Sequence, residues 1–374
     1  MSSLDQEAFG ALHGGVEPLG ATTTAASPPG RSPWRQRAST REGFVGWLFT
    51  APVVIIFLVF LVFPIGMALW VSLLDWNGQT NPLTDFDFIG LDNYRRLLTE
   101  DSLLREDFAI SVRNTLYYVL VFVPAVTIFA FSLALIVNNR ALKGRGFFRT
   151  VFYFPSITSS VAISIVFLFM FQGTGVINTV LGWLGIQGPT WFQDARGLIH
   201  IALDNLGLVD PVSPPGWLAD TDVLGLSLWQ WIAGPSVAMC ALLILATWTS
   251  CGTFMLFFLA GLQNIPIEVD EAAAVDGATK WQRFRYVTVP LMRPSIALVA
   301  TLAIIGSWQV FDQVFIMTKG APGKTTQTPA YISYTKSFGD GDFGQGAAVA
   351  FELFMIIIVL TSIQRFLSRE RKRT

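Results

Sequence analysis

The chain has few charged residues and almost no cysteine or histidine. Asp, Glu, Lys and Arg make up 14% of its 374 residues, whereas a soluble domain carries roughly 25%. Because 52% of the residues are hydrophobic, this deficit excludes a disordered chain and an ordinary soluble surface. A net charge of −1 and a pI of about 6.1 argue against a nucleic-acid binder. Two cysteines and two histidines predict neither a disulfide framework nor a metal site.

Six long stretches of the sequence have at most two charged residues each. A transmembrane helix needs roughly 20 apolar residues to cross the hydrocarbon core. Gly234 and Pro235 break the longest stretch, so the span is placed after them, and residues 224–233 are predicted as an interfacial helix. The predicted spans are 43–74, 114–139, 150–171, 235–262, 294–317 and 346–367. The sequence therefore predicts an all-α polytopic membrane protein with six transmembrane helices.

The basic residues lie in alternate connections between these spans. Of the 25 Lys and Arg, 17 fall before the first span, in the second-to-third and fourth-to-fifth loops, or after the last span. The other connections are acidic, with eight acids against three Arg in 75–112 and five against one in 172–234. The positive-inside rule then predicts that both termini are cytoplasmic. The expected location is the bacterial cytoplasmic membrane.

This topology divides the chain into four regions. The first is rich in Ala, Gly, Ser, Thr and Pro without an apolar period, which predicts a disordered cytoplasmic tail. The last is short and basic. The regions are the tail 1–42, the first transmembrane helix with its outer loop 43–112, the remaining five helices 113–367, and the cytoplasmic tail 368–374.

The long outer segment, residues 172–234, contains a weak internal repeat. Residues 175–186 resemble residues 197–208 in their Gly, Leu and Ile positions, and each copy is followed by a Trp-containing stretch. A local duplication and a chance similarity both account for this pattern.

The fourth-to-fifth loop is predicted to form two helices joined by glycine. Pro266 suits the first turn of a helix, where acidic side chains favour the positive end of the helix dipole. Gly277 is the residue expected where that helix stops. Thr279 and Gln282 match a capping box that starts a second helix, which Pro290 is expected to end. The loop is too polar to enter lipid and too structured for a passive linker.

The same loop carries a family motif. Glu271, Ala272 and Ala273, followed after three residues by Gly277 and after nine more by a segment ending at Pro290, match the EAA motif. That motif marks the membrane subunits of binding-protein-dependent ABC importers. The five identities stand at the family's spacing, and the departures, Val for Ile and Val for Leu, are conservative. The chain therefore resembles an importer permease of the type I fold.

Further segments resemble the carbohydrate-importing branch, which includes the maltose and glycerol-3-phosphate permeases. Within it the chain looks like the first permease of a heterodimeric pair. Two outer features depart from the branch: residues 319–322, where a second glycine is usual, and the long segment 172–234. The resembling segments are 63–65, 72–73, 88–94, 114–116, 143–149, 155, 259–263, 265–266, 311–312 and 318.

The resemblance implies a mechanism and partners. The EAA helix of such importers rests in a cleft of a cytoplasmic ATPase and passes its closure to the membrane helices. Expected partners are a second homologous permease, two copies of the ATPase and an extracytoplasmic solute-binding protein. No cofactor is expected in this chain, because ATP and Mg²⁺ bind the ATPase. The implied coupling residues are Glu271, Ala272, Ala273, Asp276, Gly277 and Pro290.

Candidates for the transport pathway come from polar residues inside spans. Asp312 and Glu352 are the two acids within predicted spans, where a charge costs a few kcal/mol. They either pair with a neighbouring helix or interfacial water, or face the cavity and bond sugar hydroxyls. Trp308 and Gln309, one turn from Asp312, offer a stacking face and an amide.

A polar patch at residues 248–252 in the fourth span has two interpretations. Its small and hydroxyl residues either join membrane helices or line the pathway. Trp248 and Ser250 are its pathway candidates.

Catalytic motifs are weak or incomplete. Residues 320–325 resemble a phosphate-binding loop, but Thr318 stands where that pattern needs glycine. His13 and His200 lie in the tail and an outer loop, so no nucleophile–base set is expected. We therefore expect no enzyme activity and no catalytic residue in this chain.

The sequence favours the permease of an ATP-driven sugar importer. The main alternative is a stand-alone, ion-coupled secondary transporter, which should show repeats across its spans and intramembrane ion ligands. A membrane-embedded enzyme is a second alternative. Maltose-like sugars, trehalose, amino sugars and glycerophosphodiesters are all compatible solutes.

Overall fold

The computed structural model describes residues 40–139, 142–210 and 214–370. Residues 1–39 of the predicted tail 1–42 and residues 371–374 of the predicted tail 368–374 lie outside the described residues. The chain divides into two compact units after Phe63. In the first unit, helix α1 (Thr40–Phe57) continues into a π-helical turn (Leu58–Val62).

The second unit is helical, with two small antiparallel hairpins. Its helices and strands are α2 (Phe63–Ser72), β1 (Leu74–Asp75), β2 (Asp87–Phe88), α3 (Asp92–Leu98), α4 (Leu103–Asn138), α5 (Arg145–Ile157), α6 (Ser160–Met170), α7 (Val176–Trp183), α8 (Leu198–Asn205), α9 (Gly216–Ala219), β3 (Asp222–Val223), β4 (Leu226–Ser227), α10 (Leu228–Trp231), α11 (Val237–Gln263), α12 (Ile267–Val275), α13 (Lys280–Arg283), α14 (Val289–Leu291), α15 (Arg293–Trp308), α16 (Pro329–Tyr334) and α17 (Phe343–Glu370). Further π-helical turns occupy Phe284–Thr288, Val314–Thr318 and Thr335–Gly339.

Within the described residues, four helices are long and apolar enough to cross a membrane. They are Val45–Ser72, Leu103–Asn138, Val237–Gln263 and Phe343–Phe366. Two further pairs of helices are long and apolar enough when each pair is taken together, but each pair is bent by more than 40°. The described residues therefore supply four candidate spans, or up to six if each bent pair is one span. Each bent pair is a broken span or a re-entrant loop. The sequence predicts a continuous span at 150–171 for the first pair, and for the second it predicts a helix ended by Pro290 before the span 294–317.

The first bend lies between α5 and α6, whose axes meet at 94°. Thr158 and Ser159 have extended backbone there, with ψ of 150° and 125°. Pro155 in the last turn of α5 has no N–H to continue the hydrogen-bond ladder, which weakens the helix just before the bend. The predicted span 150–171 is therefore broken.

The second bend, of 62°, separates the 280–291 helix from α15 at the fully buried Met292. The helix ends at Leu291, one residue after the end predicted at Pro290. Pro290 follows a π-helical turn within this helix. At its other end α15 stops at Trp308, so Asp312 lies beyond the helix rather than within a continuous span.

Helices α4 and α11 pack side by side at the centre of the second unit. One buried cluster includes Tyr118, Met239 and Val314, and a second includes Ala130 and Met255. Both clusters draw on residues far apart in the sequence, so the packing of the spans positions everything described below.

Gly252 permits a close approach of α5 to α11. A Cβ added at Gly252 would lie 2.2 Å from the carbonyl oxygen of Phe152. Within the polar patch 248–252, the glycine therefore joins helices, as one of the two interpretations predicts.

The outer segment contains short helices and a hairpin. The predicted interfacial helix 224–233 is wrong for its first half, because Leu224 and Gly225 form the turn of the β3–β4 hairpin with φ of 55° and 85°. The two copies of the internal repeat have matching backbones. Both α7 and α8 have eight residues, and Gly185 and Gly207 follow them with φ of 77° and 65°.

Candidate functional site

The loop that carries the EAA motif, residues 263–293, is called the coupling loop below. Its first helix, α12, begins after Pro266 and ends at Val275. Gly277 then has φ of 81°, which disfavours any residue with a side chain. An added Cβ there would meet nothing within 4 Å, so backbone conformation rather than space requires glycine. The predicted stop at Gly277 is confirmed.

The second helix of the coupling loop starts with the predicted capping box. The backbone N–H of Gln282 donates to Thr279 Oγ1 over 3.3 Å, and the N–H of Thr279 donates to Gln282 Oε1 over 2.7 Å. An ion pair of 2.7 Å between Arg283 and Asp270 then ties this helix to α12. These local contacts join the two helices of the loop to each other.

The motif residues of the coupling loop face away from the rest of the unit. Glu271, Ala272, Asp276 and Gly277 are exposed, and Ala273 is half-buried. Glu271 makes no ion pair with any described residue. Beside them lie three exposed apolar side chains, Val275, Trp281 and Tyr286, with 88%, 69% and 73% of their surface accessible. Such an apolar patch with a polar rim is typical of a protein-binding surface.

An aromatic chain connects the coupling loop to the central helices. Phe284 lies 5.5 Å from Trp281 and 6.1 Å from Phe131 of α4, measured between ring centroids. Phe131 in turn makes an edge contact of 5.2 Å with Phe258 of α11. The coupling loop therefore packs directly against α4 and, through Phe131, is connected to α11.

A polar cavity lies among α4, α5, α6, α11, α15 and the 309–313 segment. It consists of two adjoining spaces of about 300 and 290 Å³ that share Ser160, Ser250, Phe254 and Gln313. Most of its polar lining consists of hydroxyls and side-chain amides. The rest of the lining is apolar and accounts for most of its area, so these groups offer hydrogen bonds between apolar walls.

Asp312 supplies the carboxylate of the polar cavity. Its Oδ2 accepts a hydrogen bond of 2.5 Å from Ser160 Oγ, which links the 309–313 segment to the start of α6. On the opposite wall, Tyr118 Oη donates to Gln313 Oε1 over 3.3 Å. Both side chains follow the helix break after Trp308, and their hydrogen bonds reach α4 and α6.

The structure brings together three of the six predicted pathway residues. Ser250, Gln309 and Asp312 line the polar cavity. Trp248 instead packs against Phe167, with ring centroids 5.3 Å apart. Trp308 is buried, with 2% of its surface accessible, and Glu352 lies half-buried on α17, outside the cavity lining.

Sequence reasoning missed several cavity residues. Ser160, Gln313 and Tyr118 contribute hydrogen bonds there, and Thr249 and Thr253 add hydroxyls from α11. Single hydroxyls are common in membrane helices, so no local signal distinguishes these residues from ordinary ones. Gln313 could have been identified from the sequence, because it is a polar residue directly after the intramembrane acid Asp312.

Residues 126–373 match the family described as the binding-protein-dependent transport system inner membrane component. This match covers more than half of the chain, and it includes the coupling loop. The chain belongs to this family. It is a multi-pass permease of the cytoplasmic membrane and a transport subunit rather than an enzyme.

Curated relatives of the permease match nearly its whole length. The lactose transport system permease protein LacF of Rhizobium radiobacter is 32% identical over 87% of this chain and 95% of its own length. The multiple sugar-binding transport system permease protein MsmF of Streptococcus mutans is 29% identical over 87% of this chain and 95% of its own.

A solved structure shares the fold of the permease. A chain of a bacterial ABC transporter involved in the import of the acidic polysaccharide alginate superposes with a TM-score of 0.65 and 20% identity, over 88% of this chain and 96% of that one. A bacterial alginate ABC transporter in complex with alginate pentasaccharide-bound periplasmic protein gives a TM-score of 0.63. The architecture is thus that of an ABC importer permease.

Proposed function

We propose that this permease is one of two membrane subunits of an ATP-driven importer that carries a sugar or sugar derivative into the cell. The observation that carries the proposal is the exposed EAA motif on a rigid helix–glycine–helix. The names of the relatives, which include lactose and multiple-sugar permeases, support the solute class. A stand-alone secondary transporter would have no use for such a loop.

The coupling loop docks on a cytoplasmic ATPase in this proposal. Glu271 makes a polar or ionic contact with the ATPase, while Ala272 and Ala273 permit close approach. Asp276 and Gly277 set the turn between the helices, and the exposed apolar patch is covered by the same partner. Because the loop is internally braced, closure of the ATPase on ATP moves it as one body.

The movement reaches the spans at two points in this proposal. The Phe284–Phe131–Phe258 contacts lead to α4 and α11, and the helix through Pro290 leads to α15. The chain has six spans with both termini cytoplasmic, each bent pair forming one broken span. A second permease, two ATPase copies and an extracytoplasmic solute-binding protein complete the importer, and ATP and Mg²⁺ bind the ATPase.

The polar cavity forms this subunit's part of the solute pathway. Asp312, Gln309 and Gln313 offer hydrogen bonds to sugar hydroxyls, and Ser160 and Ser250 add hydroxyls. A hydroxyl of the incoming solute would take the place of the Ser160 hydroxyl as the donor to Asp312. The carboxylate would then accept a hydrogen bond both before and after the solute binds. Alternating access then exposes the cavity to each side in turn.

Affinity purification of the tagged chain from its own membrane tests the coupling loop. The wild-type chain is expected to retain an ABC ATPase and a second permease, and Gly277→Asp to lose the ATPase together with ATP-dependent sugar uptake. Gly207→Asp is the matched control, since it too has positive φ and open space but lies in the outer segment. Absence of an ATPase from the wild-type preparation, with uptake intact in Gly277→Asp, would refute the proposal.

A further inference from the structure

A second polar cavity, the outer cavity, lies where the outer segment meets α4 and the 319–328 loop. It has a volume of about 270 Å³, and Arg113, Arg196, His200 and Asp204 are among the side chains that line it. Three parts of the sequence therefore contribute to it: the start of α4, residues 195–233 and residues 323–325. It is separate from the polar cavity of the solute pathway, with which it shares no lining residue.

Arg113 is the buried cation of the outer cavity. Its residue surface is 8% accessible. Its Nη1 donates to the carbonyl oxygen of Gln230 over 3.3 Å, and its Nη2 donates to Asn114 Oδ1 over 3.0 Å. Both acceptors are neutral, and the buried Nε–H makes no hydrogen bond with the described residues. No carboxylate within 40–139, 142–210 or 214–370 forms an ion pair with this guanidinium.

An unpaired buried guanidinium is costly for a folded protein. Arginine stays protonated, so it cannot reduce the cost by losing its charge. Its planar fork can donate two parallel hydrogen bonds to one carboxylate. Nε is itself buried, but Arg113 lies on the cavity wall, and each of its terminal nitrogens has a second N–H that can donate to such a partner.

The other charged groups of the outer cavity lie at its exposed rim. Arg196 is paired with Asp194 over 2.7 Å, and Asp204 is exposed. His200 stacks on Trp229 with ring centroids 3.9 Å apart. The pKa of His200 is lowered chiefly by burial and further by the charge of Arg113, while its hydrogen bond to Trp229 acts in the opposite direction. The negative charge of Asp204 repels a bound anion, and it repels a ligand with two negative charges more than a ligand with one.

We propose that the outer cavity binds the carboxylate of a small organic acid, with Arg113 as the principal donor. A bound carboxylate would neutralise the buried cation and accept hydrogen bonds from its terminal N–H groups. It would also join the outer segment to α4 and the 319–328 loop, since all three line the cavity. The site thereby gives the long outer segment a binding role that is independent of the coupling loop.

Binding of D-glucuronate, with D-glucose as its uncharged counterpart, tests the site by isothermal titration calorimetry and thermal unfolding. The protein is the full chain in the complex in which it purifies, in nanodiscs. We expect glucuronate to bind and to raise the unfolding temperature with its concentration, and glucose to do neither. Arg113→Gln should weaken glucuronate binding by about tenfold to a hundredfold, the range expected for hydrogen bonds to a charged group. Inorganic phosphate should bind more weakly than glucuronate.

Two further variants separate binding from folding. Arg105→Gln removes a guanidinium from the same helix outside the cavity lining and should bind glucuronate normally. Ala195→Phe fills the cavity from an exposed wall position and should lose binding while Arg113 is untouched. Equal effects of glucose and glucuronate, no binding to the wild type, or full binding to either Arg113→Gln or Ala195→Phe would overturn the proposal. Because sugar uptake is not the readout, these outcomes do not bear on the proposed transport function.

Discussion

The coupling loop and the polar cavity are built in opposite ways. The loop is held by contacts between near neighbours, such as Thr279 with Gln282 and Asp270 with Arg283, and it presents its motif outward. The cavity depends on pairs separated by 152 and 195 residues, Ser160 with Asp312 and Tyr118 with Gln313, and it points its polar groups inward. The loop is thus a preformed surface that awaits a partner, whereas the cavity exists only once the spans have packed.

This difference predicts different consequences of substitution. A change in the loop should leave the fold intact and remove communication with the ATPase. A change in the cavity should leave ATPase docking intact and alter solute affinity. The first two predictions test this separation.

The largest effect is expected for Glu271→Lys. Reversing a charge that pairs across a buried interface costs 2 kcal/mol or more, so uptake should fall by about thirtyfold or more. The measurement is initial-rate sugar uptake in proteoliposomes of the assembled importer, together with ATPase retention on purification. Glu268→Lys, which changes an exposed acid at the start of the same helix, is the control and should retain most of the activity. Equal losses in both variants would assign the effect to the helix rather than to Glu271.

Asp312→Asn comes next and should affect affinity. The amide keeps the shape of the side chain, but its neutral oxygen accepts a hydrogen bond from Ser160 more weakly than the carboxylate does. Hydrogen bonds to charged groups contribute about 1.5–3 kcal/mol, so the uptake KM should rise about tenfold or more with ATPase retention unchanged. Glu352→Gln, whose side chain lies outside the cavity lining, should transport with near-normal KM. A normal KM in Asp312→Asn would show that the Asp312 carboxylate does not contact the solute.

The sequence predicted those parts of the molecule that depend on local chemistry. The capping box at Thr279 and the stop at Gly277 were both identified because each needs a particular residue within a few positions. Four long spans were identified because a 20-residue apolar run has no other common use. The end of the second coupling-loop helix was predicted to within one residue, because proline disfavours continuation of a helix.

The cavity could be predicted only in part. Asp312 was conspicuous as an acid in an apolar run, but the helix break that precedes it, after Trp308, was not anticipated. Ser160 was overlooked since its importance comes from a residue 152 positions away. The bend at Thr158 lies within the uncharged stretch 150–171, which stays apolar on both sides of it. The sequence therefore has no signal at this position that would predict the bend.

The aromatic chain allows a test of how the two regions communicate. Phe284→Leu and Phe131→Leu should each reduce the uptake obtained per ATP hydrolysed, while ATPase docking and solute KM stay near normal. Aromatic pairs contribute about 0.5–1.5 kcal/mol beyond their burial, which corresponds to a change of about two- to tenfold. A double-mutant cycle is the measurement, and the two changes should be non-additive because they remove one contact. Strict additivity would mean that the Phe284–Phe131 contact does not carry the coupling.

The smallest effect is expected for Trp248→Leu, although the sequence marks this residue as a pathway candidate. Its indole packs on Phe167 rather than lining the cavity, so the change should cost about 0.5–1.5 kcal/mol of stability. Solute KM should stay within about twofold of the wild-type value, the range typical of substitutions outside a site. Ser250→Leu, two residues along α11, places a branched side chain in both parts of the cavity and should raise KM clearly. If Trp248→Leu raised KM as much as Ser250→Leu, the pathway would have to extend beyond the cavity to the α6–α11 contact.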